Sequence, residues 1–160
     1  MHTTVKDHAL ELFYKAFEEQ MKGNYERALQ IYKESIDLFP TAEACTFLGW
    51  TYSLLDDYPK AIEECLKAIA LDPEFGNPYN DIGSYYYYLG KYDEAVPWLT
   101  AAMTKPRYES KHFPHYNLGR VYEMKGLWFE AIREYKTSLE FKHDYEAAQT
   151  ALARLRSWMN

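Results

Sequence analysis

The sequence predicts an all-α solenoid of about four helix-turn-helix units closed by a C-terminal capping helix. Three observations carry that reading. First, a small residue set recurs: Leu48, Gly49 and Tyr52 precede Ala61, Ile82, Gly83 and Tyr86 precede Ala95, and Leu118, Gly119 and Tyr122 precede Ala131. The alanines Ala28, Ala61, Ala95 and Ala131 step by 33, 34 and 36 residues. A period in this range marks stacked two-helix units, each needing its neighbours to bury its apolar face. Second, the turns repeat, as Gly23-Asn24-Tyr25, Gly90-Lys91-Tyr92 and Gly126-Leu127-Trp128 precede their alanines at one offset. Third, the apolar residues between these breakers fall at helical spacing.

The elements follow in order. Leu10, Leu12, Phe13, Ala16, Phe17 and Met21 mark the first helix, which Gly23-Asn24 ends. Tyr25, Ala28, Leu29, Tyr32 and Ile36 mark the second, and Pro40 follows its end. The next pair is expected near Glu43–Leu55 and Pro59–Leu71, with Pro59 in a first turn where its missing N–H costs least. A third pair runs near Pro78–Leu89 and Glu94–Thr104, and a fourth near Pro114–Lys125 and Phe129–Phe141. A last helix, about Asp144–Met159, carries Ala147, Ala151, Leu152 and Leu155, with Arg154 and Ser157 on its outer face. Gly49, Gly83 and Gly119 lie inside helices, where glycine costs about 1 kcal/mol relative to alanine. A recurring cost needs a recurring reason, and close helix–helix approach supplies one, with Ala61, Ala95 and Ala131 expected opposite these glycines.

Composition narrows the function. The chain has 160 residues, 26% charged and 48% apolar, and its 16 tyrosines stand out. A net charge of −6 argues against non-specific nucleic-acid binding, which needs a basic stripe to displace counterions. No apolar run approaches the ~20 residues a bilayer span needs. Met1 to His8 is polar and lacks the apolar core of a signal peptide. Cys45 and Cys65 are too few for a disulfide framework, so the expected compartment is the reducing cytoplasm.

The pattern Tyr79-x-x-Ile82-Gly83-x-x-Tyr86 with Gly90-x-Tyr92-x-x-Ala95, and two near copies of it, resembles the tetratricopeptide repeat (TPR) proteins. The resemblance covers residues 9 to about 158. It implies a right-handed solenoid in one domain over 1–160, with repeats at about 9–41, 42–75, 76–109 and 112–143 and a capping helix over 144–159. The first unit departs from the pattern, with Lys15 and Ala16 where leucine and glycine are usual and Glu19 where an aromatic is usual. That suits an end repeat facing water. The third unit runs on through Lys105-Pro106-Arg107 to His112, two residues longer than its predecessor, and His143 stands where proline is common.

The resemblance also implies a concave surface lined by the first helix of each pair, in which partner segments lie. On this chain the implied partner-binding residues are Phe13, Tyr14, Phe17, Phe47, Trp50, Asn80, Asp81, Ser84, Tyr87, Tyr88, Tyr116, Asn117 and Arg120. The N-terminal half is apolar and aromatic, and the C-terminal half mixes tyrosine with amides and charge. Phe17, Phe47 and Trp50 would take apolar anchors, Asn80 and Asn117 would hydrogen-bond a partner's main chain, and Arg120 would pair with a carboxylate. Phe13, Phe17, Phe47, Asn77 and Asp81 stand where TPR domains that grip the C-terminal tails of heat-shock chaperones carry a basic and asparagine clamp, which argues against that partner class. A ladder of asparagines is also missing, with only Asn117 in that slot.

Other candidates favour packing over chemistry. There is no Gly-rich phosphate loop, no Gly-x-Ser-x-Gly elbow and no His-Glu-x-x-His. His112 and His115, three apart, read as packing residues beside Pro114 rather than a metal pair, and Cys45 and Cys65 read as buried small hydrophobes. Tyr85–Tyr88 point in four directions, so they form no single patch, and Tyr85 is expected to pack against the following unit. The functional expectation is a non-enzymatic interaction module, without cofactor or metal, that binds an apolar or amphipathic protein segment. Two alternatives stay open: self-assembly into homo-oligomers through the ends of the stack, where Trp158 and Met159 lie, and a chaperone-like adaptor similar to the class II chaperones of type III secretion.

Overall fold

The computed structural model describes residues 3–160. The first two residues of the polar stretch Met1–His8, and of the expected domain 1–160, lie outside the described residues. The described residues hold nine helices: α1 (Val5–Met21), α2 (Tyr25–Leu38), α3 (Ala42–Leu54), α4 (Tyr58–Leu71), α5 (Asn77–Tyr88), α6 (Tyr92–Thr104), α7 (His112–Met124), α8 (Trp128–Phe141) and α9 (Glu146–Trp158). None of them is long and apolar enough to cross a membrane.

The helix ends follow from local chemistry. α1 starts five residues before Leu10 because Thr4 caps it: its hydroxyl accepts from Asp7 N at 3.1 Å, and Asp7 Oδ2 accepts from Thr4 N at 2.9 Å. The Thr4 hydroxyl, which donates to the same carboxylate oxygen at 2.6 Å, and the Thr4 amide hold the Asp7 carboxyl below its ordinary range. Gly23, Gly90 and Gly126 take the left-handed conformation in their turns, and Asp56 (φ 59°) takes it in the second unit, where no glycine is available. Asp57 then caps α4, accepting from Lys60 N at 3.2 Å.

Every helix packs against the next, and the first helices α1, α3, α5 and α7 also touch one another, whereas the second helices scarcely do. The stack is therefore shorter along its odd helices, which form the inner curve. The alanines at the repeat period are fully buried. The repeat glycines allow close approach, with one correction to the expected partners. A Cβ on Gly49 would sit 2.9 Å from the Ala61 carbonyl and 3.1 Å from Cys65 Sγ. On Gly83 it would lie 2.5 Å from Leu99 Cδ2, and on Gly119 2.6 Å from Tyr135 Cε1. Ala61 and Ala95 do lie opposite Gly49 and Gly83, through their backbone carbonyls at 2.9 and 3.3 Å, whereas the closest side chain in each slot belongs to the residue four beyond the alanine, as does every near neighbour at Gly119.

Two further expectations are corrected. Tyr85 packs against Ala61, Cys65 and Tyr58 of the preceding unit, not the following one. Arg154 does not point outward alone: both its terminal nitrogens donate to the Glu123 carboxylate, at 2.9 and 2.7 Å. That carboxylate also accepts from the Tyr135 hydroxyl at 2.6 Å, which ties α7, α8 and α9 together. The first unit has the same device, the Tyr32 hydroxyl donating to Gln20 Oε1 at 2.8 Å.

The long connection at residues 105–111 folds back across the stack. Gly76 N donates to Arg107 O at 3.1 Å and Arg107 N to Glu74 O at 3.2 Å. The Arg107 guanidinium pairs with Asp72 and, at 2.7 Å, with Glu43. Tyr108 is buried against Tyr79 and Ala102, and its ring takes the space a side chain at Gly76 would need.

Candidate functional site

The inner curve brings together most of the sequence-predicted residues. At the N-terminal end Phe13 meets Tyr14, Tyr32 and Phe47 with ring centroids 5.1–5.7 Å apart. Phe17 and Trp50 each lie 5.8 Å from Phe47, edge to face. The rings form one connected aromatic patch, with Tyr14 and Trp50 exposed and the phenylalanines half-buried. Leu10, Phe13, Tyr14, Phe39 and Phe47 line an apolar cavity of about 500 Å³ at this end.

In the middle, a cavity of about 320 Å³ is lined by Thr46, Phe47, Trp50, Asn77, Asn80, Asp81, Tyr108, Ser110 and Phe113. A second, of about 430 Å³, is lined by Trp50, Ser53, Leu54, Tyr58, Asn80, Asp81, Ser84, Tyr85 and Tyr88. The two share Trp50, Asn80 and Asp81. Tyr108 and Ser110 come from the long connection; sequence reasoning missed them, because an insertion interrupts the period that located the other residues.

The floor of the C-terminal half is a directed hydrogen-bond chain. Arg120 donates to Asn117 Oδ1 at 3.3 Å, Asn117 Nδ2 to Asn80 Oδ1 at 3.0 Å, and Asn80 Nδ2 to Asp81 Oδ1 at 3.4 Å. The Arg120 guanidinium sits 4.2 Å from the Tyr87 ring centre, 5.2 Å from Tyr88 and 5.4 Å from Tyr116, and donates to the Tyr88 hydroxyl at 3.2 Å. Tyr88 in turn stacks on Tyr58. The structure thus engages Arg120 with three tyrosines and an amide, and leaves Asn80 and Asn117 bonded to each other. Burial pushes the Asp81 carboxyl up to about 7, against the lowering effect of the single long bond from Asn80.

The remaining candidates lie apart from this surface chemistry. His112 packs on Phe113 and Tyr145, and its burial lowers its pKa. His115 meets Glu134 at 2.7 Å and stacks on Phe141, so the two histidines have separate surroundings. Cys45 and Cys65 are buried free thiols. Burial pushes Cys45 up to about 11 and Cys65 well above its ordinary value, so both are held as neutral thiols.

This architecture of stacked helix pairs around an inner curve defines a helical-repeat solenoid. The sequence profile of the tetratricopeptide repeat matches residues 42–75, and a second profile of that repeat matches residues 79–105. Residues 42–75 and 79–105 are thus tetratricopeptide repeats. It is 37% identical over 64 residues to a small glutamine-rich tetratricopeptide repeat-containing protein of Dictyostelium discoideum, a match covering 39% of this chain and 19% of that protein. The chain spans 19% to 27% of the length of the curated relatives it matches. Among solved structures, PilF of Pseudomonas aeruginosa superposes with a TM-score of 0.89 at 22% identity, over 98% of this chain and 71% of that one. YrrB, described as a TPR protein with an unusual peptide-binding site, superposes with a TM-score of 0.71 at 17% identity, over 89% of this chain and 73% of that one. At these identities the structural likenesses show the shared fold alone.

Proposed function

We propose that the chain is a non-enzymatic interaction module whose inner curve grips an apolar or amphipathic segment of a protein partner. One observation carries the reading: Phe13, Phe17, Phe47 and Trp50 form a connected, partly exposed aromatic patch that continues into two cavities on the same surface. Aromatic anchors in pockets are the usual centres of binding energy, and YrrB offers a structural parallel of the same fold with a peptide-binding site. The partly formed polar floor would fix the register of the bound segment. The two neutral thiols suit a reducing compartment, which we take to be the cytoplasm.

The test is a pull-down with wild type and the double variant Phe47→Ser/Trp50→Ala, with circular dichroism to confirm that both fold. Loss of a partner from the variant alone is the expected result; identical recoveries would move the function off this surface. A second reading, self-assembly, is favoured by exposed apolar side chains at both ends of the stack: Val5, Leu10 and Met21 at one, Phe129, Phe141 and Trp158 at the other. Heterologous contacts of this kind build rings or filaments. Light scattering that shows only monomer at high concentration would eliminate that reading.

A further inference from the structure

We propose that Asp81 is the seat for a lysine or arginine side chain projecting from the otherwise apolar partner segment. This deepens the groove reading above and rests on it. Asp81 is, among the described residues, the one aspartate, glutamate, lysine, arginine or histidine lining either of the two central cavities. Among the described residues no basic group forms an ion pair with it; its hydrogen-bond partner is the amide of Asn80, at 3.4 Å. A carboxyl withdrawn from water without a cation is driven toward its neutral form, and a paired positive charge would stabilise the charged one.

The surroundings fit a cation. Trp50 borders both cavities, with Phe47, Tyr108 and Phe113 around one and Tyr58, Tyr85 and Tyr88 around the other. Ring faces attract lysine and arginine heads, and the rings pack along their aliphatic stems. The same groove already holds one guanidinium this way, Arg120 over Tyr87, Tyr88 and Tyr116. Arg120 reaches this lining through Tyr88, but among the described residues no guanidinium or ammonium pairs with the Asp81 carboxyl itself. The Tyr85 hydroxyl, on a residue 4% exposed, lies beside Ser53 in the lining of the second cavity. The net charge of −6 favours approach of a basic segment.

The experiment selects from a displayed library of random dodecapeptides on immobilised wild type, Asp81→Asn and Phe47→Ser/Trp50→Ala. Wild type is expected to enrich apolar peptides with lysine or arginine at one fixed position. In a titration of the best peptide, norleucine at that position should weaken binding to wild type about tenfold and leave binding to Asp81→Asn unchanged. Enrichment of purely apolar peptides by wild type and Asp81→Asn alike, lost in the double variant, would overturn the cation seat while leaving the groove intact. Identical selection by the double variant, or no enrichment at all, would overturn both. Full competition by butylammonium at the peptide's own concentration would assign the site to a free amine and overturn the peptide side chain as occupant.

Discussion

Asn117 on α7 donates to Asn80 on α5 at 3.0 Å, and both amides are almost fully buried between adjacent units. The bond joins residues 37 apart in sequence and forms the centre of the chain that runs from Arg120 to Asp81. Replacing Asn117 by alanine strands the Asn80 carbonyl oxygen and removes one of the two acceptors of Arg120, leaving it the Tyr88 hydroxyl. Leaving buried polar groups unsatisfied costs about 1–3 kcal/mol. Asn117→Ala should therefore lower the urea-unfolding free energy by about 2 kcal/mol. The double variant Asn80→Leu/Asn117→Leu should lose less than the two single losses added, because no buried amide is then left unpaired.

A second prediction concerns Gly119. Its added Cβ would meet the Tyr135 ring at 2.6 Å, and that ring is fixed by its hydroxyl bond to Glu123, itself gripped by Arg154. Overpacking of this kind costs about 1–3 kcal/mol, offset by about 1 kcal/mol from replacing glycine in a helix. Gly119→Ala should thus be destabilised by about 1 kcal/mol. Adding Glu123→Gln, which frees part of the lock on the ring, should make the glycine substitution cheaper in a double-mutant cycle followed by thermal unfolding.

These positions show what the sequence made legible. The repeat glycines were visible as costs in need of a reason, and the period located the inner-curve residues Phe47, Trp50, Asn80 and Asn117 because it repeats the same helix face. The contacts between units were not visible, because nothing local distinguishes an asparagine offered to a partner from one bonded to the asparagine of the next helix. The opposite wall of the Gly119 slot was misplaced by one turn for a similar reason: the alanine is small and recurrent, while Cys65, Leu99 and Tyr135 vary at the position that fills the space. Tyr108 was hidden because the period fails at residues 105–111. The start of α1 was legible but overlooked in the Thr4-x-x-Asp7 capping box.

Asp81 supplies a prediction with a pH signature. Its folded pKa, about 7, stands above its ordinary 3.8, with desolvation the main cause. A carboxyl raised on folding binds its proton more tightly in the folded state. It therefore withdraws stability as pH climbs from about 4 to about 7, and the penalty stays in place above that. Asp81→Asn removes the titration. A tenfold difference in proton affinity between the folded and unfolded chain corresponds to about 1.4 kcal/mol, and the side chain is partly open to the cavities, which softens the penalty. The variant should match wild type at pH 4 and exceed it by about 1–2 kcal/mol at pH 8, measured by urea unfolding at both values. An equal difference at both would show that the carboxyl is not perturbed.

The connection at residues 105–111 poses a choice between two anchors, Arg107 and Tyr108. Arg107 bridges Asp72 and Glu43 on the surface, and exposed ion pairs contribute about 0–1 kcal/mol each. Tyr108 is buried against Tyr79 and Ala102 beneath the Phe75–Arg107 backbone bridge, and truncating a large buried aromatic costs about 3–5 kcal/mol. The ring should therefore dominate. Arg107→Ala is expected to lower stability by less than about 1 kcal/mol, increasingly masked by 0.5 M salt as the pairs are screened. Tyr108→Ala should lose about 3 kcal/mol and also open the central cavity, because the ring forms part of its wall. Hydrogen exchange would separate the two directly. The Gly76 amide, bonded to the Arg107 carbonyl, should stay protected in Arg107→Ala and exchange freely in Tyr108→Ala. The reverse order would make the ion pairs the anchor.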